Sequence, residues 1–207
     1  MNKRPSSHRW LKEHSSDLYV KLARQAGFRS RSAFKLLEIN ERDRILKEGA
    51  IVIDLGAAPG GWSQVAAEAV GAEGRVIAVD LLPMTPIDHV IYIRGDVREE
   101  GVVQSLLDAL NGKKADLVLS DMAPNISGMK AIDQARIMYL VECVMEYAIR
   151  ALKPGGDLLV KVFQGEGFDA FARQLRQSFK RVYTRKPRAS RGRSAEVYVI
   201  ARSFYGV

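Results

Sequence analysis

One stretch, Ile51–Trp62, constrains the fold of this chain more than any other. It begins with a β-branched run, Ile51–Ile53, which predicts a buried strand that ends at Asp54. Three glycines follow, and a helical pattern then starts at Ser63. Because glycine lets the backbone approach a ligand and the first turn of a helix exposes free N–H groups, this order is typical of a ligand site in α/β proteins. A plain strand-to-helix turn is the alternative.

The spacing of the glycines narrows the class of ligand. The dinucleotide fingerprint is Gly-x-Gly-x-x-Gly, but Ala58 stands where the second glycine belongs, so a pyrophosphate would be approached less closely. The pattern from Asp54 to Gly60 suits a nucleoside ligand without phosphates better, and S-adenosylmethionine is the usual one. A nicotinamide-dependent oxidoreductase is a further alternative, which Ala58 and the lack of a Tyr-x-x-x-Lys set disfavour.

Strand-like and helix-like patterns alternate through the rest of the chain. This alternation predicts an α/β fold with a doubly wound, mostly parallel, seven-stranded sheet whose last strand is antiparallel. We expect a single domain over residues 1–207, with a basic arm and helices in 1–47 and the ligand-binding core in 48–207. The predicted strands cover residues 51–54, 75–79, 90–93, 116–120, 157–163, 181–184 and 196–202. The predicted helices cover residues 18–26 (with Asp17 as N-cap), 33–46, 63–70, 99–110, 132–152 and 168–178.

Several classes of protein are disfavoured by composition. The first fifteen residues are polar and basic, which predicts no signal peptide, and no apolar run approaches the roughly 18 residues of a membrane span. Cys143 is the only cysteine, so no internal disulfide can form, which fits a cytoplasmic protein. Its apolar helical surroundings predict a buried, inert thiol. The three histidines are scattered, and we expect no metal site.

Charge is divided unevenly along the chain, whose formal net charge is +8. Residues 1–47 carry twelve lysines and arginines against five acids, and residues 173–207 carry ten against one, whereas the middle is acidic. The densest part, residues 185–193, has five bases and no acid. Two basic flanks around a ligand-binding core indicate contacts with the phosphate backbone of a nucleic acid. An anionic membrane surface or an acidic protein is the alternative partner.

Ionisable side chains recur where predicted strands end. In open α/β sheets, ligands bind beyond the carboxyl ends of the strands, although an acid there can also serve as a helix N-cap. Asp80 lies 20 positions after Gly60, close to the separation at which a carboxylate bonds ribose hydroxyls. Asp96 could accept from an adenine amino group, and Trp62 could stack on the ligand or belong to the core. The strand-end residues are Asp54, Asp80, Asp96, Asp121 and Lys161.

The residues at positions 121–125 should indicate which kind of reaction the protein catalyses. Base-amine methyltransferases usually carry Asn/Asp-Pro-Pro-Tyr/Phe at this place, but this chain has neither the second proline nor the aromatic residue. Methylation at pyrimidine C5 needs a cysteine nucleophile, for which Cys143 is misplaced. What is left is the carboxylate of Asp121 and a lysine inside an apolar strand, Lys161. A lysine there is costly unless it is paired or functional.

Taken together, these motifs resemble those of the FtsJ-type ribosomal RNA ribose 2′-O-methyltransferases over nearly the whole chain. The resemblance implies a catalytic tetrad of Lys35, Asp121, Lys161 and Glu196, and cofactor positions at Gly60, Trp62, Asp80, Asp96 and Asp121. Without it, Lys35 would be read as a solvated helix lysine and Glu196 as an edge-strand charge. The matching stretches are residues 30–36, 54–62, 121–128, 159–163 and 190–198.

The resemblance also implies an activity and a setting. The family consists of monomeric class I (Rossmann-like) enzymes that use S-adenosylmethionine to methylate a ribose 2′-hydroxyl, here most simply of a uridine in 23S RNA of the large ribosomal subunit, late in assembly. A methyltransferase for transfer RNA or the messenger RNA cap would share the tetrad, and a non-catalytic RNA-binding module could keep the fold. Lys161 would act as a general base or as a charged group that stabilises the alkoxide.

Overall fold

The structure, a computed structural model, describes residues 18–190 and 194–206. In this part of the chain, seven strands form one sheet with helices on both faces. The strands are β1 (Ile51–Leu55), β2 (Arg75–Asp80), β3 (Val90–Arg94), β4 (Ala115–Ser120), β5 (Leu152–Phe163), β6 (Phe179–Arg185) and β7 (Glu196–Phe204). The helices are α1 (Leu18–Gln25), α2 (Ala33–Asp43), α3 (Gly61–Val70), α4 (Glu100–Ala109), α5 (Lys130–Ala151) and α6 (Phe168–Ser178).

The order of the strands is β3-β2-β1-β4-β5-β7-β6. The first five strands in sequence pair in parallel, and β7 pairs antiparallel with both β5 and β6. The predicted mostly parallel sheet with an antiparallel end is therefore confirmed. The chain winds outward in one direction from β1 and in the other from β4, so the topology switches between these two neighbours. Ligands of doubly wound sheets bind at such a point, beyond the carboxyl ends of the strands.

Apolar side chains cover both faces of the sheet. Helices α2 and α3 pack on one face through residues such as Leu36 and Val65, and α4, α5 and α6 pack on the other through residues such as Leu106, Val144 and Leu175. The inner parallel strands β1, β2 and β4 are buried on both faces, which explains why their sequences are nearly continuous apolar runs rather than alternating ones, whereas the edge strand β3 is partly exposed. The helices thereby fix the positions of the loops at the carboxyl edge.

Most predicted boundaries agree with the structure to within two residues, but two were wrong by three residues or more. Helix α2 ends at Asp43 and not at residue 46, because Arg44 takes a left-handed conformation (φ 48°) and the Asn40 side chain accepts from the Leu46 N–H at 2.8 Å. Strand β5 begins at Leu152, directly after α5, and not at residue 157 as predicted. The predicted N-cap Asp17 and the basic arm 1–16 lie outside the described residues, as do residues 191–193 of the basic stretch.

Cys143 lies on α5 with its side chain half-buried, whereas the sequence predicted a buried thiol. Burial still raises the pKa of this thiol above its ordinary value, which keeps the reactive thiolate scarce at neutral pH. Among the helices of residues 18–190 and 194–206, none is both long and apolar enough to cross a membrane.

Candidate active site

Four side chains from distant parts of the chain meet at the carboxyl edge of the sheet. The Lys161 ammonium on β5 lies 3.0 Å from Asp121 Oδ1, just beyond β4, and also donates to the Asp121 backbone carbonyl. The Lys35 ammonium on α2 lies 2.6 Å from Glu196 Oε1 at the start of β7. The structure therefore brings together all four residues of the expected tetrad as two ion pairs.

A fifth residue, Tyr198, joins the two ion pairs. Its hydroxyl donates to Asp121 Oδ1 at 2.7 Å and accepts from Lys35 Nζ at 3.0 Å, and it lies 3.3 Å from Glu196 Oε1. Sequence reasoning did not single out Tyr198. Two signals could have identified it, because it stands two positions after Glu196, on the same face of a strand, and lies within a stretch that matches the family.

Strand pairing explains why these groups meet. The Ser120–Val160 register places Lys161 beside the residue that follows β4, and Lys161 is the direct partner of Tyr198 across the antiparallel β5–β7 pair. Lys35 reaches the cluster because its neighbour Leu36 and the rest of the apolar face of α2 pack on the sheet. Both lysines are only 9% exposed, so their charges act at low dielectric.

The electrostatics of the cluster make Asp121 an anion. Burial alone would raise the pKa of its carboxyl, but the Lys161 and Lys35 ammonium groups and the Tyr198 hydroxyl together hold that pKa below its ordinary value. Burial, followed by the negative charges of Asp121 and Glu196, raises the pKa of Tyr198 well above its ordinary value. The hydroxyl therefore keeps its proton and remains a donor.

A cavity of about 620 Å³ opens beside this cluster, at the switch point of the sheet. Its volume lies within the range of small-molecule sites. Three of the strand-end acids line it, namely Asp80, Asp96 and Asp121, together with Arg98 and Arg136. Asp121 thus belongs both to the cavity wall and to the ion-paired cluster, so a ligand in the cavity would lie next to Lys161.

Backbone and side-chain donors hold the carboxylates of the other two cavity acids, Asp80 and Asp96, in place. The N–H groups of Ala58 and Leu82 donate to the two oxygens of Asp80 at 2.9 and 2.8 Å. Asp96 receives the guanidinium of Arg98 on both oxygens, and these hydrogen bonds hold the pKa of its carboxyl below the ordinary value. Each carboxylate oxygen has a further lone pair, and both residues line the cavity, so they can also accept from hydroxyl or amino groups of a ligand.

Two expected cofactor residues, Gly60 and Trp62, do not line the cavity. Trp62 is 2% exposed, donates from its indole N–H to the Ser32 carbonyl at 2.8 Å and packs against the Tyr198 ring. Its ring therefore belongs to the core, which is one of the two alternatives that the sequence left open, and a cofactor contact of Trp62 stays a prediction from the resemblance. Gly60 has φ 110°, and a Cβ there would lie 2.8 Å from Ile87 Cδ1, because the loop after β2 covers this glycine.

Asp54, the strand-end acid of β1, lies below the cavity and is fully buried. The Ser63 hydroxyl donates to its Oδ2 at 2.6 Å, whereas Oδ1 has no partner among the residues that the structure describes. Burial raises the pKa of Asp54 to about 7. Within the same described part of the chain, no group of three or more histidine, cysteine or acidic side chains is placed to hold a metal ion.

Comparison with known proteins agrees with this geometry. Residues 28–204 match the model of the FtsJ-like methyltransferase family. A protein of Alkalilimnicola ehrlichii named ribosomal RNA large subunit methyltransferase E is 57% identical over 202 residues, covering 98% of this chain and 97% of its own. A protein of the same name from Pseudomonas aeruginosa is 53% identical over 206 residues and covers both chains fully.

A similar fold is also present among solved structures. A crystal structure described as a ribosomal RNA methyltransferase from Plasmodium falciparum superposes with a TM-score of 0.79 at 29% identity. It covers 87% of this chain and 100% of its own. The family match extends over most of the chain, and the relatives correspond to it from end to end. The chain therefore belongs to the FtsJ-like methyltransferase family.

Proposed function

We propose that this protein transfers a methyl group from S-adenosylmethionine to a ribose 2′-hydroxyl, of a uridine in 23S RNA of the large ribosomal subunit. The single observation that carries the proposal is the double position of Asp121. Asp121 lines the cavity, and its carboxylate holds Lys161 at 3.0 Å, so a methyl donor in the cavity and an activated hydroxyl would meet beside this residue. Bringing two reactants into such contact supplies much of the rate of a displacement reaction.

The chemistry of the cavity fits S-adenosylmethionine. This ligand has a ribose diol, an adenine amino group, a positive sulfonium and a zwitterionic amino acid tail. Asp80 can accept from the diol and Asp96 from the adenine amino group, while the acidic lining favours the positive sulfonium. When bound, the cofactor supplies an electrophilic methyl carbon. We assign no cofactor contact to the Trp62 side chain, because it is packed in the core.

Lys161 is the residue to which we assign the reaction centre. Its ion pair with Asp121 and its hydrogen bond to the Asp121 carbonyl hold its ammonium in one orientation. From there it can donate to the attacking 2′-oxygen and stabilise the negative charge that develops on it as the hydroxyl proton passes to solvent water. The new bond from this oxygen to the methyl carbon would form as the bond from that carbon to the sulfonium sulfur breaks, which leaves a neutral thioether. Asp121 is a weak base, because the pKa of its carboxyl is held low. Its role is to orient Lys161.

The second ion pair has a supporting role. Lys35 and Glu196 lie on the far side of the Tyr198 hydroxyl, and the Ser190 hydroxyl also donates to Glu196 at 3.0 Å. These groups present donors and an acceptor with which a ribose and its neighbouring phosphate can pair. Removal of either partner would leave the other as an uncompensated charge close to Tyr198.

Ribosomal RNA is favoured as the substrate over other RNAs. The relatives that match this chain from end to end carry the name of a large-subunit RNA methyltransferase, and exposed bases such as Arg42, Arg173, Arg176, Lys180 and Arg188 lie in the basic flanks. A transfer RNA or cap methyltransferase would share the tetrad and is the second candidate. The intact cluster disfavours a non-catalytic binding module. We further propose a single-domain monomer that works in the cytoplasm.

The test is methyl transfer from labelled S-adenosylmethionine to ribosomal particles from cells that lack this protein. The modified linkage is located by its resistance to alkali, because alkaline cleavage of RNA needs a free 2′-hydroxyl. We expect one alkali-resistant position with the wild type and none with Lys161→Ala. The matched control is Lys113→Ala, which removes an exposed lysine beyond α4 and should leave transfer unchanged.

Each of the other possible outcomes would reject a different part of the proposal. Label that enters RNA while every linkage stays alkali-labile would show methylation of a base, and the assignment of the cluster would fail. Transfer to transfer RNA and not to particles would keep the chemistry and change the substrate. Binding of RNA without any transfer would favour the non-catalytic module.

A further inference from the structure

Arg29 belongs to the basic N-terminal flank, yet its charge is directed at the protein and not at solvent. Its guanidinium donates to three backbone carbonyls, those of Thr85 at 2.6 Å, Pro86 at 2.7 Å and Pro59 at 3.5 Å. Both terminal nitrogens are thereby engaged. A surface arginine that binds a phosphate would instead leave these planar donors free. Arg29 therefore departs from the general assignment of the basic flank to RNA.

Two of the carbonyls that Arg29 holds, those of Thr85 and Pro86, belong to one segment, residues 81–89 between β2 and β3, which we call the cofactor-side loop. The loop begins with Leu81 and Leu82, which line the cavity directly after Asp80. Farther along, Met84 and Ile87 cover Gly60, where a Cβ would lie 3.0 Å from Met84 Sδ and 2.8 Å from Ile87 Cδ1. The position of this loop therefore shapes one wall of the cavity.

Helix α3 fixes the other end of this connection. The Arg29 N–H donates to Gln64 Oε1 at 2.8 Å, and the Gln64 amide donates to the Gly27 carbonyl at 3.1 Å. The backbone around Arg29 is thus attached to the helix that follows the glycine-rich turn, while its side chain is attached to the cofactor-side loop. The Arg29 guanidinium thus hydrogen-bonds both the loop and the carbonyl of Pro59 in the glycine-rich turn.

We propose that Arg29 is a positioning residue for the cofactor, which holds the cofactor-side loop against Gly60 so that Leu81 and Leu82 form the cavity wall. This inference rests on the proposed use of S-adenosylmethionine. It adds a physical link between the segment that leads into α2, which carries Lys35, and the cofactor cavity. It also removes one arginine from the set of bases available to RNA.

The charge-preserving variant Arg29→Lys separates the two readings. A lysine can still attract a phosphate, but its single ammonium cannot reproduce a planar fork that reaches adjacent carbonyls and Pro59 together. If Arg29 clamps the loop, lysine at this position should therefore not replace its function. If Arg29 contacts a phosphate, lysine should largely replace it. The matched control is Arg24→Ala, which removes an exposed base of the same flank on α1.

Three quantities are measured on the full chain. They are the Kd of labelled S-adenosylmethionine without RNA, the KM for ribosomal particles, and the hydrogen exchange of backbone amides. For Arg29→Lys we expect a Kd raised about tenfold, as the loss of charged hydrogen bonds implies, and faster exchange confined to residues 81–89. The KM for particles should change by less than about twofold. Arg24→Ala should leave the cofactor Kd and the loop exchange unchanged.

The opposite pattern would overturn the inference. A Kd for S-adenosylmethionine that stays at the wild-type value in Arg29→Lys, or unchanged exchange in the loop, would show that Arg29 does not position the cofactor wall. The same holds if exchange speeds up throughout the sheet, which would indicate general destabilisation. If Arg29→Lys does not fold, Ile87→Ala tests the same wall from the other side of Gly60, and an unchanged Kd there would also reject the clamp. Failure of the wild type to bind S-adenosylmethionine would reject the proposed function itself.

Discussion

Asp54 and Asp121 end two neighbouring strands, β1 and β4, yet the protein treats their carboxyl groups in opposite ways. Asp54 has a serine hydroxyl as its side-chain partner, and burial raises its pKa to about 7. Asp121 is paired with Lys161, lies near Lys35 and accepts from Tyr198, and these groups hold its pKa below the ordinary value against the effect of burial. At neutral pH, the first carboxyl is therefore protonated in about half of the molecules, whereas the second is an anion.

The difference shows that burial by itself does not assign a role to an acid at a strand end. The nature of the partner decides, since an ammonium group at 3.0 Å stabilises the anion while a hydroxyl compensates for desolvation only in part. At the end of β4, the anion is needed to orient Lys161. At the end of β1, a hydrogen bond between Asp54 and Ser63 ties the strand to the helix after the glycine-rich turn.

The strongest test of this difference between Asp54 and Asp121 is to remove the positive charge of Lys161, which keeps Asp121 an anion. In Lys161→Met we expect methyl transfer to fall by at least about a thousandfold, because the group that stabilises the developing alkoxide is gone. The free energy of unfolding should fall by about 3 kcal/mol, since Asp121 is left buried without its main partner. Activity assays and urea denaturation measure the two effects.

The double variant Lys161→Met/Asp121→Asn is the control for this prediction. It removes both charges, so stability should recover by at least about 1 kcal/mol relative to Lys161→Met while activity stays absent. If stability does not recover in the double variant, packing of the lysine stem, and not the unpaired charge of Asp121, determines the loss of stability. Retention of a tenth of the activity in Lys161→Met would contradict the catalytic assignment.

Tyr198 allows a second test of the difference between the two acids, because its neutral hydroxyl donates a hydrogen bond to Asp121. Tyr198→Phe keeps the ring that packs against Trp62 and removes only the oxygen. We expect methyl transfer to fall about 10- to 100-fold and stability to fall by about 1–2 kcal/mol, since Asp121 and Lys35 each lose a hydrogen bond. Tyr183→Phe, on β6 and away from the cluster, serves as the control. Equal activity of the two variants would remove Tyr198 from the site.

Much of the fold could be predicted because the signals were local. Apolar runs and glycine-rich turns marked most of the strands, and the doubly wound, mostly parallel sheet followed from the alternation of strands with helices. Acids after strands pointed correctly to a common edge, where Asp80, Asp96 and Asp121 do line one cavity. Residues of the tetrad on α2 and β7 were found only through resemblance to a family, since nothing nearby in sequence distinguishes Lys35 from a surface lysine.

What could not be predicted depends on contacts between distant segments. Tyr198 acts through the β5–β7 register, which pairs it with Lys161, and no local pattern contains that register. Trp62 reads equally well as a ligand platform or as core until the position of α2 is known. The close approach of the cofactor-side loop to Gly60 is another contact between distant segments, and the predicted cofactor contact of Gly60 stays a prediction.

Asp54 provides the mildest test, because it should affect stability and not catalysis. Its pKa of about 7 in the folded protein exceeds the ordinary value of 3.8, so between these pH values the folded state retains a proton that the unfolded chain has released. The free energy of unfolding should therefore fall as the pH rises from about 4 to about 7, by at most about 4 kcal/mol. Asp121 has the opposite sign, since its contribution is present above pH 4 and is lost as the pH falls below its ordinary pKa.

The variant Asp54→Asn removes the titration and keeps a hydrogen-bonding partner for Ser63. We expect its stability to be nearly independent of pH between about 5 and 8, and to exceed that of the wild type at pH 8, with activity changed by less than about threefold. Urea denaturation at a series of pH values measures the difference. A wild-type curve that is flat over this range, or one that the substitution does not alter, would mean that the unpaired oxygen of Asp54 finds a donor in solution. In that case Asp54 would be an anion like Asp121, and the two strand ends would no longer differ in charge.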